Sequence, residues 1–125
     1  REKFKSENLL AVLNNPESNA NKNLKYLRNA MDVRSELKQF HPCSQMKCLS
    51  KGRSDIVVIK RGIGPKSVFA IHNMTENKIN YQLNDNDLPK IIDNDFNTHD
   101  FLTSTKYNCK NISLDPFQVI WLSAL

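Results

Sequence analysis

Three aspartates in the second half of the chain are the only carboxylate cluster that could serve acid–base chemistry. They are Asp93, Asp95 and Asp100. Cleavage of a sugar bond needs two carboxyl groups, one of which has a pKa raised by apolar surroundings. These aspartates lie in or beside the polar stretch 84–98, where such surroundings are missing. The segment Asp85-Asn-Asp87 resembles the start of a calcium-binding loop, but the Gly at the sixth place and the Glu at the twelfth place of such a loop are missing. The pattern favours a solvated loop.

The sequence also lacks the residue patterns that are typical of metal, redox and nucleophilic sites. The cysteines, Cys43, Cys48 and Cys109, form no Cys-x-x-Cys pair, and their spacing from the histidines matches no zinc site. No Gly-x-Ser-x-Gly elbow or phosphate-binding glycine loop is present. We therefore predict no metal, no cofactor and no catalytic residue, and expect reduced thiols in a cytoplasmic protein.

Charge and hydropathy bear on the partners. The net charge is +5, and residues 1–53 hold 11 Lys/Arg against 5 Asp/Glu. These charges alternate with helix-spaced apolar residues, as on the solvated face of a helix, so we predict no nucleic-acid partner. Because no apolar run approaches the ~20 residues that span a bilayer, we predict no membrane partner.

Hydrophobic periodicity predicts a mainly β fold with N-terminal helices. A short helix is expected over 7–13, capped by Ser6, and a long one over 19–39. After Pro42 the period becomes two, and strands are predicted at 45–49, 55–60, 67–73, 78–83, 100–103, 111–114 and 117–122. Short loops between strands indicate an antiparallel β-sandwich. The domains are therefore predicted as 1–42, helical, and 43–125, an antiparallel β-domain.

Apolar residues on these elements are predicted to be structural. They are Leu27, Met31, Leu37, Phe69, Ile71, Leu102, Phe117, Ile120 and Trp121. The helix contributes an apolar face that must cover either the β-domain or a further part of the protein.

The order of these pieces resembles the C-terminal end of α-amylase-superfamily (glycoside hydrolase family 13) enzymes, and most the sucrose-phosphorylase-like branch. The pieces are Arg1-Glu-Lys-Phe, Phe40-His-Pro, Asp55 to Arg61, Val68 to Asn73, Asp100-Phe-Leu-Thr-Ser, and Leu114 to Leu122. Two departures are Phe117, where the family has Tyr, and the missing Gly after the Asp100 to Thr103 piece.

This resemblance implies the fold and the function. Residues 1–42 would end a catalytic (β/α)8 barrel, and 43–125 would form the all-β domain C. The carboxylates of a retaining mechanism would lie upstream, and Arg1 would contact the glucosyl unit of an α-glucoside in the full-length enzyme only. The expected function is a non-catalytic domain of a glucosyl-transferring or phosphorolysing enzyme, with the barrel of the same polypeptide as its partner.

An alternative is a stand-alone carbohydrate-binding or interaction β-module. Such a module needs solvent-facing aromatics on which sugars stack, and the candidates are Tyr81, Phe96, Phe101 and Tyr107.

Overall fold

The computed structural model describes residues 5–88 and 97–123. It divides into two compact units, Arg1–Glu36 and Leu37–Leu125. This division lies slightly before the predicted one at residue 42. The assignment of the helical part to a barrel stays a prediction. Arg1 lies outside the described residues, as do Asp93, Asp95 and Phe96.

The helical unit contains one short and one long helix, as predicted. Helix α1 spans Ser6–Asn14 and helix α2 spans Asn19–Glu36. Ser6 is not the N-cap, because the helix begins one residue earlier than expected and Lys5 holds that position without a side-chain hydrogen bond. Before α2, the Ser18 hydroxyl accepts the Asn21 N–H at 3.1 Å and donates to the Val12 carbonyl at 2.6 Å. Ser18 thus satisfies a free donor at the start of α2.

Helix α2 ends earlier than the predicted Gln39. Leu37 is extended, and Lys38–Phe40 form a 3-10 turn. The cause is a set of tertiary bonds: the Ser44 hydroxyl donates to the Lys38 carbonyl at 2.9 Å, and Gln39 Nε2 donates to the Lys66 carbonyl at 2.7 Å. Leu27 and Met31 of this helix are 56% and 61% exposed.

The β unit contains a four-stranded antiparallel sheet and two strand pairs. In chain order the described strands are β1 Met46–Cys48, β2 Ile56–Arg61, β3 Val68–Asn73, β4 Ile79–Tyr81, β5 Asn97–His99, β6 Lys106–Asn108, β7 Ile112–Leu114 and β8 Val119–Ser123. The sheet order is β1-β2-β3-β8, while β4 pairs with β7 and β5 with β6, all antiparallel. The last strand closes a sheet begun upstream, as the sequence predicted.

The core lies between the four-stranded sheet and the β4–β7 pair. Its members come from alternate positions of β2, β3, β7 and β8 together with loop residues: Ile56, Val58, Phe69, Ile71, Leu83, Leu88, Cys109, Ile112, Leu114, Ile120 and Leu122. Alternation places one face of each strand inward, which is the period of two that the sequence showed. Of the residues predicted to be structural, Phe69, Ile71 and Ile120 are fully buried and Leu102 is 9% exposed.

The predicted strand at 100–103 is wrong. Asp100 makes only an isolated bridge to Leu122. The chain then turns, because the Asp100 carboxylate accepts the Leu102 N–H at 3.2 Å and the Thr103 hydroxyl at 2.7 Å. Asp side chains that bond nearby backbone in this way compete with sheet formation. Strand β6 was missed, because only Tyr107 of its three residues is partly buried.

The final strand begins at Val119 and not at Phe117. Phe117 lies in the preceding turn with φ 55 and is 65% exposed, so it does not contribute to the core. Asp87 was expected in a solvated loop, but it is 8% exposed and its carboxylate binds the Lys47 ammonium at 2.7 Å. The ion pair explains how a charged group tolerates this burial.

Candidate docking surface

The four-stranded sheet has a second, apolar face that points away from the core. Strand alternation places Val57 and Ile59 of β2, Ala70 and His72 of β3, and Val119 and Trp121 of β8 on this face, here named the outer face. In register, Val57 lies beside His72 and Val119, and Ile59 beside Ala70 and Trp121. An antiparallel sheet commonly leaves one face polar and solvated. Here five of these six side chains are apolar, while Arg61 and Ser123 continue the same side of the sheet towards its end.

The burial of these side chains is uneven. Ala70 is 5% exposed, although it does not belong to the inner core cluster, while Val57, Ile59, Val119 and Trp121 are half-buried. A half-covered apolar surface of this kind is typical of an interaction site.

Trp121 is held firmly on the outer face. Phe40 packs on it, with ring centroids 4.6 Å apart and planes tilted by 43°. Its backbone N–H donates to Asp100 Oδ1 at 2.7 Å, and Asp100 is fully buried. The Asp100 turn therefore fixes the backbone from which the indole projects.

The indole N–H of Trp121 is buried without a hydrogen-bond partner among the residues that the structure describes. Buried Trp N–H groups usually find an acceptor, and leaving one unpaired costs about 1–3 kcal/mol. Because the nitrogen is itself inaccessible, this donor is an internal cost of the packing around Trp121 and not a donor presented at the surface.

The segment before β1 is tied to the sheet beside this face. Arg61 donates from Nε to the Gln39 carbonyl at 3.1 Å and from its terminal nitrogen to the His41 carbonyl at 2.8 Å. Gly62 has φ 80, and a Cβ there would lie 2.9 Å from Gln39 Cγ. A side chain at 62 would therefore be strained and would crowd Gln39. These bonds keep Phe40 against Trp121.

His72 is the titratable group of the outer face. It lies between Val57 and Val119, and burial lowers its pKa from the ordinary 6.5. The neutral imidazole is therefore favoured, because an apolar neighbourhood disfavours the charged form.

The aromatic side chains predicted to stack on sugars do not form an open platform. Tyr81 and Tyr107 are half-buried, and burial raises the pKa of both. The Tyr107 hydroxyl accepts a hydrogen bond from Gln118 Nε2 at 3.0 Å. Phe101 is half-buried with His99 edge-on at 5.2 Å, and Phe96 lies outside the described residues.

The reactive side chains are dispersed. Among the described residues, no group of three or more His, Cys, Asp or Glu could hold a metal ion. All three cysteines are free; Cys109 is buried, and burial raises the pKa of its thiol to about 11. In the same part of the chain, no helix combines the length and the apolar character needed to cross a membrane.

Comparison with known proteins finds similar folds among solved structures. No family model and no curated protein matches the sequence. The structure of AmyP in complex with maltose matches with a TM-score of 0.68 and 15% identity, over 86% of this chain and 21% of that one. Trehalose-6-phosphate hydrolase (TreA) from Bacillus licheniformis matches with a TM-score of 0.62 and 17% identity, over 91% of this chain and 20% of that one.

These matches show the fold alone, and the chain spans about a fifth of the length of the solved chains that it matches. The two helices and antiparallel sheets agree with the C-terminal β-domain of glycoside hydrolase family 13 enzymes, which confirms the predicted fold class. The sucrose-phosphorylase-like branch stays a prediction.

Proposed function

We propose that this chain is the non-catalytic C-terminal part of a retaining carbohydrate-active enzyme, and that its β unit binds the catalytic barrel of the same polypeptide through the outer face. The observation that carries this proposal is the mainly apolar outer face, on which Val57, Ile59, Val119 and Trp121 are only half-buried. Full burial of an exposed Val or Ile side chain contributes about 1.5–3 kcal/mol, so covering the half-buried Val57, Ile59 and Val119 adds roughly half of that for each residue.

The fold comparison supports the same assignment. The β unit alone makes up less than three-quarters of the chain, so a match over 86% must include residues before Leu37. Helical and β parts thus recur together in an enzyme that was solved with maltose. In this proposal the exposed Leu27 and Met31 of α2 also contact the barrel.

The substrate is proposed as a sucrose-like α-glucoside, which the enzyme transfers or cleaves with phosphate. Support comes from the resemblance of Asp100 to Ser104 and of Leu114 to Leu122 to the sucrose-phosphorylase-like branch. In the full-length enzyme Arg1 would contact the glucosyl unit, and the catalytic carboxylates would lie on the barrel. Three free thiols fit a reducing, cytoplasmic location.

The test is the coding sequence immediately before Arg1, followed by an activity assay. We expect Asp-Ile-Asn directly upstream, with barrel strands before it, and phosphate-dependent turnover of sucrose by the full polypeptide. The 125-residue chain alone should release no sugar from sucrose or maltose. An unrelated upstream domain, or turnover by the chain alone, would contradict the proposal.

A further inference from the structure

The turn before β8 presents an aromatic ring to solvent in an unfavourable backbone conformation. Phe117 is 65% exposed and has φ 55. A bulky residue in the left-handed region is unfavourable, because its Cβ lies too close to the following carbonyl oxygen. Exposure of the ring adds no core packing that could offset this cost. Strain of this kind concentrates at binding sites, which makes the turn a candidate.

Several hydrogen bonds fix the backbone conformation of this turn. The Phe117 N–H donates to the Thr75 carbonyl at 3.0 Å, and Asn73 Nδ2 donates to the Asp115 carbonyl at 2.9 Å. Gln118 Oε1 accepts the Asp115 N–H at 2.8 Å. The backbone that carries the ring is therefore fixed before any ligand arrives, and a fixed aromatic loses little conformational entropy on binding.

The side chains around this turn provide both apolar surface and charged groups that can form hydrogen bonds. Met74, next to the Thr75 that binds the turn, is 54% exposed. Asp115 of the same turn pairs with Lys78 at 3.4 Å, and both side chains stay about two-thirds exposed, at 69% and 65%. One acceptor and one donor thus remain accessible at the turn.

A pyranose ring matches this chemistry. Its C–H face is apolar and can cover an aromatic ring, while its hydroxyls both donate and accept and so can bond a carboxylate and an ammonium. Among the described residues of the β unit, Phe117 is the only exposed Phe, Tyr or Trp. It therefore provides the open ring that Tyr81, Phe101 and Tyr107 do not.

We propose that Phe117, with Asp115 and Lys78, forms a non-catalytic binding site for one glucosyl unit of an α-glucan or α-glucoside. The choice of glucose rests on the proposed function, whereas the site itself stands on the turn geometry. A single stacked ring with two charged partners should bind weakly, with a Kd on the order of 1 mM.

The experiment is a titration of the isotope-labelled 125-residue chain with maltohexaose, followed by NMR shifts. We expect saturable shifts centred on the 115–118 turn. Phe117→Ala should weaken binding about tenfold or more, as removal of an aromatic platform does for stacked bases, while Phe117→Tyr should retain it. Met46→Ala, at a 65% exposed position of β1, is the matched control and should bind within about twofold of the parent chain. Phe117→Asn, which tolerates the left-handed region, separates loss of the ring from loss of the turn.

Absence of shifts in the parent chain, or equal shifts in Phe117→Ala, would overturn the sugar site. Self-association that depends on concentration and on Phe117, without shifts from sugar, would assign the ring to a protein contact and overturn it as well. Neither result touches the outer face, so a failure here is distinguishable from a failure of the proposed function.

Discussion

Removal of the Asp100 carboxylate should destabilise the β unit more than removal of any exposed carboxylate. Asp100 is fully buried, and its Oδ1 accepts the backbone N–H groups of Leu102 at 3.2 Å and Trp121 at 2.7 Å. Asp100→Ala leaves both donors without this acceptor, at about 1–3 kcal/mol each. The free energy of unfolding should therefore fall by roughly 4 kcal/mol, a large part of the ~5–15 kcal/mol of an ordinary domain.

Urea unfolding measures this loss, with fluorescence of Trp121, the only Trp of the chain, as the probe. Asp100→Asn keeps one oxygen for the two N–H groups and should cost about 1–2 kcal/mol, which is less than the Ala variant. The control is Asp115→Ala, whose side chain is 69% exposed and pairs with Lys78; it should change stability by about 1 kcal/mol or less. If Asp100→Ala unfolds within 1 kcal/mol of the parent chain, then the turn does not depend on this carboxylate.

Three further predictions concern backbone strain and titration. Ser104 has φ 59, so Ser104→Gly should raise the free energy of unfolding by about 1 kcal/mol in the same urea assay, because Gly adopts this region without penalty. Burial raises the pKa of Cys109 from 9.0 to about 11. The free energy of unfolding that depends on the neutral thiol is therefore complete below pH 9 and is lost as the pH rises towards 11. Cys109→Ala should reduce this loss. Burial lowers the pKa of His72 below 6.5. The contribution of the neutral imidazole to the free energy of unfolding is therefore present above pH 6.5 and is lost as the pH falls below that value. His72→Gln should remove this dependence of stability on pH.

Each of the three has an outcome that contradicts it. Destabilisation by Ser104→Gly would mean that the left-handed conformation is not the source of the cost. In alkylation at pH 8, rapid labelling of Cys109 in the folded chain, at the rate of the exposed Cys43 and Cys48, would show that its thiol is not shielded. An acid slope that survives in His72→Gln but disappears in a variant of the exposed His99 would place the titration elsewhere.

The sequence predicted most of the central sheet because its strands satisfy two requirements at once. Strands β2, β3 and β8 are rich in β-branched and aromatic residues, and their inward positions alternate with outward ones. Most of their outward positions are also apolar, which is unusual for a solvated face. The prediction that Trp121 is structural rested on the resemblance of Leu114 to Leu122 to the end of domain C. The fold class thus followed from local pattern.

The remaining features depended on contacts that pattern alone does not reveal. Asp100 to Thr103 has the apolar content of a strand, but the Asp100 carboxylate turns the backbone. Strand β6 has one half-buried residue, Tyr107, and therefore no visible alternation. At Phe117, neither Gly nor Asn signals the positive φ. Tyr81 and Tyr107 were candidates for sugar stacking in the alternative module, and the sequence does not reveal that both rings are half-buried, because their burial results from tertiary packing.

Docking through the outer face is tested most directly by Val119→Arg in the full polypeptide and in the 125-residue chain. Val119 is half-buried on β8 beside His72, and Ser113→Arg, at an exposed position of β7, is the matched control. If the barrel covers the outer face, then Val119→Arg should lower the stability of the full polypeptide by at least ~2 kcal/mol more than that of the isolated chain, since an unpaired charge is buried. Equal effects in both proteins, or an equal effect of Ser113→Arg, would contradict docking through this face.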